Sequence, residues 1–237
     1  GVGVTEWGPL FAVDPASPLI DHVKTLGSAL FVASALRVFA EEPSVELANF
    51  FKLNESLFMG WIGRRQNQWA MTAPAMAFRM VARGMESGLL ASSVEVATYA
   101  SRAIGFVDRV ADAPYLDVLA SAAPDRASVT VLLINRHPSA AIAARVALGG
   151  ASGATALTSE TLSGDAPDAN TGTDLLRIPG LRWGEQARIG PRGRFHQGAE
   201  GEIRLDRQVL GPAGAETLVR VPAHAITLLR FEGLRRP

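Results

Sequence analysis

Through the first part of the chain, short apolar runs alternate with stretches whose apolar residues recur every three or four positions. Val2 to Glu6 is a β-type run closed by the breaker pair Gly8-Pro9, and a polar loop with Asp14-Pro15 and Ser17-Pro18 follows. From Ile20 to Glu41, the apolar positions Val23, Leu26, Leu30, Phe31, Ala35 (beside Ser34) and Val38 have the spacing of a helix with one buried stripe, which Pro43 stops. Val45 to Leu53 is a second β-compatible run. Thr72-Ala73-Pro74 has proline in the first turn of a further helix, with Ala75, Phe78, Val81 and Met85 as its buried face. This βαβα alternation predicts parallel strands with helices packed outside them.

From about residue 91 the period changes. Val94–Tyr99, Tyr115–Ala122, Val129–Asn135, Ala140–Leu148, Thr155–Leu162, Glu216–Val221 and Ile226–Phe231 are short β runs separated by turn signals, the pattern of an antiparallel β-sandwich. Val129 to Ile134 is apolar on nearly both faces and fits a central strand. Arg182 to Gly214, rich in Gly, Pro and Arg, reads as a long hairpin or surface excursion. The expected organisation is therefore α/β over 1–90 followed by an all-β domain over 91–237.

Composition narrows the function. The 237 residues are 48% hydrophobic, which is enough for a sizeable core and excludes disorder as the whole answer. Lys+Arg and Asp+Glu number 23 each, so bulk charge draws the chain to neither nucleic acid nor a membrane surface. No apolar run reaches the ~18 residues of a membrane span. The lack of cysteine excludes disulfides, thiolate metal sites and a cysteine nucleophile, and leaves the compartment open between cytoplasm and exterior. The opening Gly1-Val-Gly-Val, with neither initiator Met nor leader pattern, suggests a piece of something longer.

The sharpest chemical signal is Thr5-Glu6-Trp7-Gly8, a carboxylate at the C-terminal end of a strand beside an indole. In a (β/α)8 barrel that rim carries catalytic groups; a carboxylate there can attack an anomeric carbon, and an indole offers a flat face to a sugar ring. On spacing alone, an exposed strand-end glutamate explains the motif better.

Resemblance shifts that balance. Val4-Thr-Glu-Trp-Gly8 resembles the strand-seven motif of α-L-arabinofuranosidases of glycoside hydrolase family 51. Leu26-Gly-Ser-Ala-Leu-Phe-Val-Ala33 and Val45-Glu-Leu-Ala-Asn49 resemble the next helix and strand eight. The Leu-Leu-Ile-Asn-Arg-His-Pro stretch within Ser128–Pro138, the turn Asp168-Ala-Asn-Thr171 and the strand from Val221 to Leu229 resemble parts of the family's terminal sandwich. The resemblance implies the last βα units of a (β/α)8 TIM barrel, then a β-sandwich. It implies a retaining double displacement with Glu6 as nucleophile, Trp7, Asn54 and Trp61 as substrate contacts, and no metal or cofactor. Leu57 or Phe58 stands where the family has a Gln. The family's acid/base lies on strand four, outside this chain, so the chain alone is expected to be inactive. Its expected partners are a carbohydrate substrate and either the complementary first part of the barrel or a second copy of the chain.

Other candidates carry less. Glu55 is a second rim carboxylate or a solvated loop residue; Trp61 and Trp69, flanking Arg64-Arg65, form a sugar platform or pack their loop. No two of His22, His137, His196 and His224 have metal-ligand spacing. Asp165, Asp168 and Asn170 fit a polar turn better than a Ca²⁺ loop. Gly1-x-Gly3 lacks the rest of a dinucleotide fingerprint, and Arg188, Arg192 and Arg194 beside Glu200 and Glu202 read as a solvated hairpin. The alternative function is a non-catalytic carbohydrate-binding or scaffolding sandwich, against which the few aromatics past residue 91 (Tyr99, Tyr115, Trp183) argue.

Overall fold

Val2, Val4 and Thr5 favour extended backbone, and Val2–Trp7 forms strand β1. The structure, a computed structural model, describes residues 1–9, 20–53, 61–65, 68–103, 107–171 and 202–235. These fall into two compact units, one of residues 1–78 and 164–203, the other of 79–163 and 204–237.

In the first unit, helix α1 (Leu26–Glu41) joins β1 to the parallel strand β2 (Val45–Phe50), the crossover that parallel pairing requires. The helix starts later than the apolar spacing suggests. Ile20–Lys24 is a 3₁₀ turn, and Thr25, in extended conformation, caps α1 by accepting the Ser28 N–H at 3.3 Å. Two further N–H groups of the first turn are satisfied from 165–171: Leu26 donates to the Ala169 carbonyl at 2.8 Å and Gly27 to that of Pro167 at 2.7 Å. Burial is concentrated in the first two turns, where Leu26, Ala29, Leu30, Val32 and Ala33 are all covered. Val38, expected in the stripe, is 49% exposed. The helix ends at Glu41, one residue past which Glu42 returns its N–H to the Val38 carbonyl.

Where the sequence suggested only a loop, Ile62–Arg65 (β3) and Gln68–Met71 (β4) form an antiparallel hairpin. Helix α2 (Ala73–Gly84) follows, and the division between the units passes within it. Its covered face is wider than expected, taking in Ala73, Ala77 and Met80 with Ala75 and Val81; Met85 lies beyond its end.

The second unit holds β5 (Gly88–Leu90), β6 (Thr98–Tyr99), β7 (Ala113–Pro114), β8 (Leu116–Ala122), β9 (Ser128–Asn135), β10 (Ile142–Ala147), β11 (Gly153–Gly164), β12 (Ile203–Gly214), β13 (Glu216–Val221) and β14 (Ala225–Arg235). Six of these form one antiparallel sheet in the order β12-β11-β14-β9-β8-β5, while β10 pairs with β13 and β6 with β7. As its two-faced apolar run predicts, β9 is central, with every residue buried. Leu116, Val131, Leu133, Leu157, Leu229 and Phe231 of the sheet share a core with Ala144, Val146, Val219 and Val221 of the β10–β13 ribbon. Each covered Val, Leu or Phe contributes about 1.5–3 kcal/mol. Of the expected strand 94–99, only Thr98–Tyr99 pairs, and Val94 is exposed. The last part of the expected surface excursion is instead β12, a long edge strand with Val209 82% exposed; 182–201 lie outside the described residues.

Candidate functional site

Glu6 and Trp7 stand at the C-terminal end of β1, and Glu6 is exposed. The pairing with β2 is irregular here. Val4 faces Ala48 and Trp7 faces Phe50, so β1 uses one residue more than β2 across Thr5 and Glu6. Such a bulge bends the strand and re-aims a side chain at its end.

The neighbouring indole is tied down. Its ring meets Phe39 of α1 edge-on at 5.1 Å and Phe50 of β2 at 5.0 Å, and lies 6.4 Å from the Phe78 ring. The Trp7 carbonyl accepts the Phe51 N–H at 2.7 Å, continuing the ladder past β2. The chain then passes close to the exit of β2: a Cβ on Gly8 would lie 2.9 Å from the Phe51 carbonyl oxygen. Only glycine fits that approach without displacing backbone.

Trp61 joins the same cluster, 4.6 Å from Phe50 and 4.4 Å from Phe78. Its carbonyl accepts both the backbone N–H and the hydroxyl of Thr72, fixing the start of the hairpin to the start of α2. Trp69, within β4, is 61% exposed, so the two tryptophans do different things: Trp61 packs and Trp69 stands open. The Nε1 atoms of Trp7 and Trp61 are both buried with no hydrogen-bond partner among the described residues. The structure thus brings Glu6, Trp7 and Trp61 to one end of the β1–β2 pair. Asn54, with Glu55, Leu57 and Phe58, lies outside the described residues. Phe39 was outside the expected helix stripe; its signal was an aromatic ring near the helix end that feeds β2.

The remaining polar motifs have structural partners. Asn135 is fully buried, its amide donating to the carbonyls of Ala140, Val221 and Pro222 at 3.0, 3.2 and 2.7 Å, its oxygen accepting the His137 N–H at 2.9 Å. Arg136 donates to buried Asp117 at 3.1 Å and to the Pro114 carbonyl. His137 stacks near Tyr115 at 4.5 Å and accepts the Ala140 N–H, and His224, at φ 39°, contacts the Pro138 carbonyl. Asn170 is buried, with its N–H donating to Glu202 at 3.3 Å. Among the described residues no three His, Asp or Glu side chains gather as a metal site. No described helix is long and apolar enough to cross a membrane.

No family model and no curated protein matches the chain. Solved structures do. The α-L-arabinofuranosidase from Thermotoga maritima, in an arabinose complex, matches with a TM-score of 0.73 at 17% identity, over 97% of this chain and 42% of that one. The GH51 α-L-arabinofuranosidase from Thermotoga petrophila RKU-1 matches with a TM-score of 0.73 at 18% identity, over 97% and 43%. The GH51 arabinofuranosidase from Xanthomonas axonopodis pv. citri matches with a TM-score of 0.64 at 18% identity, over 97% and 41%. The chain therefore has the fold of a part of the GH51 α-L-arabinofuranosidases, spanning less than half the length of each.

Proposed function

We propose that this chain is the C-terminal portion of a retaining glycoside hydrolase, α-L-arabinofuranosidase-like, acting on plant cell-wall polysaccharide or oligosaccharide. In this reading residues 1–90 supply the last βα units of a (β/α)8 barrel and 91–237 a bracing β-sandwich. The observation that carries it is the position of Glu6: an open carboxylate on a bulge at the C-terminal end of a parallel strand, next to an indole set among the rings of Phe39, Phe50 and Phe78 of its own unit. That end of a parallel β/α layer is where reacting groups collect.

The chemistry is a double displacement. The Glu6 carboxylate attacks the anomeric carbon as the glycosidic C–O bond breaks, and a carboxylic acid from outside this chain gives its proton to the leaving oxygen. That same group, now a base, takes a proton from water, which attacks the glycosyl–Glu6 ester and releases the sugar and the free carboxylate. The geometry needs the two carboxyl groups about 5 Å apart. Trp7, Asn54 and Trp61 line the sugar subsite. Neither a metal nor a cofactor enters this sequence of steps. The barrel is completed by a complementary chain segment or by a second copy of this chain.

The test is trapping with a mechanism-based 2-fluoroglycoside on the protein with its barrel complete, followed by peptide mass analysis. The expected adduct is on the peptide carrying Glu6, and Glu6→Gln abolishes it. An adduct on another carboxylate, or turnover that persists in Glu6→Gln, overturns the assignment.

A further inference from the structure

A second site lies in the second unit. Strand alternation puts Thr158 and Glu160 of β11 on the same sheet face as their partners Arg230 and Leu228 of β14. Leu157, Leu229 and Phe231, which point the other way, belong to the core shared with the β10–β13 ribbon. The C-terminal turn of α2 comes down on this outer face so closely that a Cβ on Gly84 would run into a Leu228 methyl. Between helix and strands remains a cavity of about 480 Å³, within the range that accepts a small ligand.

Its lining is unusually rich in arginine. Arg207 is paired with Glu160 at 3.1 Å, and Arg230 with Glu86 at 3.0 Å and Glu232 at 2.9 Å. Arg79 and Arg83 also line it, exposed and one helical turn apart, and no acidic partner meets either among the described residues. Two like charges at i and i+4 repel, so an anion between them stabilises both. Solvation alone serves arginines on a convex helix face; here a concave wall faces them, with apolar Met80, Val209 and Leu228 beside hydrogen-bonding Thr158 and Gln208.

We propose that this cavity binds the carboxylate-bearing sugar of an acidic glycan, a uronate unit. Arg79 and Arg83 hold the carboxylate through their planar N–H forks, Thr158 and Gln208 take ring hydroxyls, and the apolar wall faces the C–H side of the ring. The sugar part of the assignment rests on the glycosidase reading above; the anion part rests on the cavity itself. Its volume is several times that of a bare inorganic anion.

The experiment is calorimetric titration of the 237-residue chain with trigalacturonate, with a neutral arabino-oligosaccharide of equal length, and with inorganic phosphate. Trigalacturonate is expected to bind at least about tenfold more tightly than either, and its affinity to fall about tenfold in the double variant Arg79→Gln/Arg83→Gln with melting temperature unchanged. Binding is also expected to weaken with added salt. Glu6→Gln should titrate like the parent, so failure of the nucleophile assignment leaves this readout standing. Equal binding of the neutral sugar, equal binding of phosphate, undiminished binding by the double variant, or no binding at all overturns the proposal. Should the double variant melt early, Arg79→Lys/Arg83→Lys, which keeps charge and removes the forks, decides by the same comparison.

Discussion

Trp7 and Phe50 occupy matched positions on neighbouring parallel strands, and their rings meet edge to face with centroids 5.0 Å apart. This contact couples the strand end that carries Glu6 to the strand end that leads toward Asn54. Phe50 also touches Trp61 and lies near Phe78, so it links three other rings of the cluster. Phe50→Ala is expected to destabilise the chain by about 2–3 kcal/mol, less than a fully buried Phe because Phe50 is half-buried. Phe50→Leu should retain most of that. Urea unfolding of the two variants checks the order.

The 237-residue chain by itself is expected to leave aryl glycosides intact, because the proposed mechanism takes its proton donor from the other part of the barrel. Adding the complementary barrel portion should restore turnover, and Glu6→Gln should remove it again. Robust hydrolysis by the purified chain alone, sensitive to Glu6→Gln, would contradict the expectation.

Asp117 is 5% exposed and held by the Arg136 guanidinium, which is itself anchored on the Pro114 carbonyl. Arg136→Ala leaves a buried carboxylate without this counter-charge and should cost about 3 kcal/mol. Arg136→Lys should recover little, since an ammonium group lacks the fork that reaches both acceptors. The double variant Asp117→Asn/Arg136→Ala should cost well under the sum of the singles, and a double-mutant cycle by chemical denaturation measures this.

Asn135 ties the end of β9 to the turns at 140 and 221–222. Asn135→Ala leaves buried carbonyls without their donor and is expected to cost about 2–3 kcal/mol. Asn135→Asp should be worse near neutral pH, where a carboxylate would face three carbonyl oxygens, and should improve as acid protonates it. Thermal melts at two pH values distinguish the two variants.

Glu42 offers a pH test. The Ser44 hydroxyl donates to its carboxylate at 2.7 Å, and the Ser44 N–H at 3.1 Å; these bonds lower its pKa below the usual glutamate value. A lowered carboxylate pKa in the folded state means the contribution is complete above the ordinary value and disappears as pH falls through the lowered one. The Ser44 amide resonance should therefore titrate with a midpoint below the ordinary glutamate value, and Ser44→Ala, which removes the hydroxyl and keeps the N–H, should move the Glu42 midpoint only part of the way back.

Periodicity made the elements legible and left their edges obscure. The two-faced apolar run 129–134 announced a central strand, because a strand covered on both sides needs no polar alternation. The start of α1 was hidden: besides the Thr25 cap, two N–H groups of its first turn are satisfied by backbone from 165–171, a long-range relation that local spacing does not carry. The β3–β4 hairpin lacked a glycine turn signal, and α2 conceals its wide buried face by using alanine, which reads as weakly apolar. At the candidate site, Glu6 and Trp7 were visible as neighbours in sequence. The cluster around Trp7 was not, because Phe39, Phe50, Trp61 and Phe78 come from four separate elements or connections.

The chain enters its second compact unit at Arg79, departs after Ser163 and re-enters at Arg204. Three passages mean that no single cut in the gene separates the units: any product that holds all of one also carries a segment of the other. Neither unit is thus a contiguous module that end-to-end fusion to another gene could carry away alone.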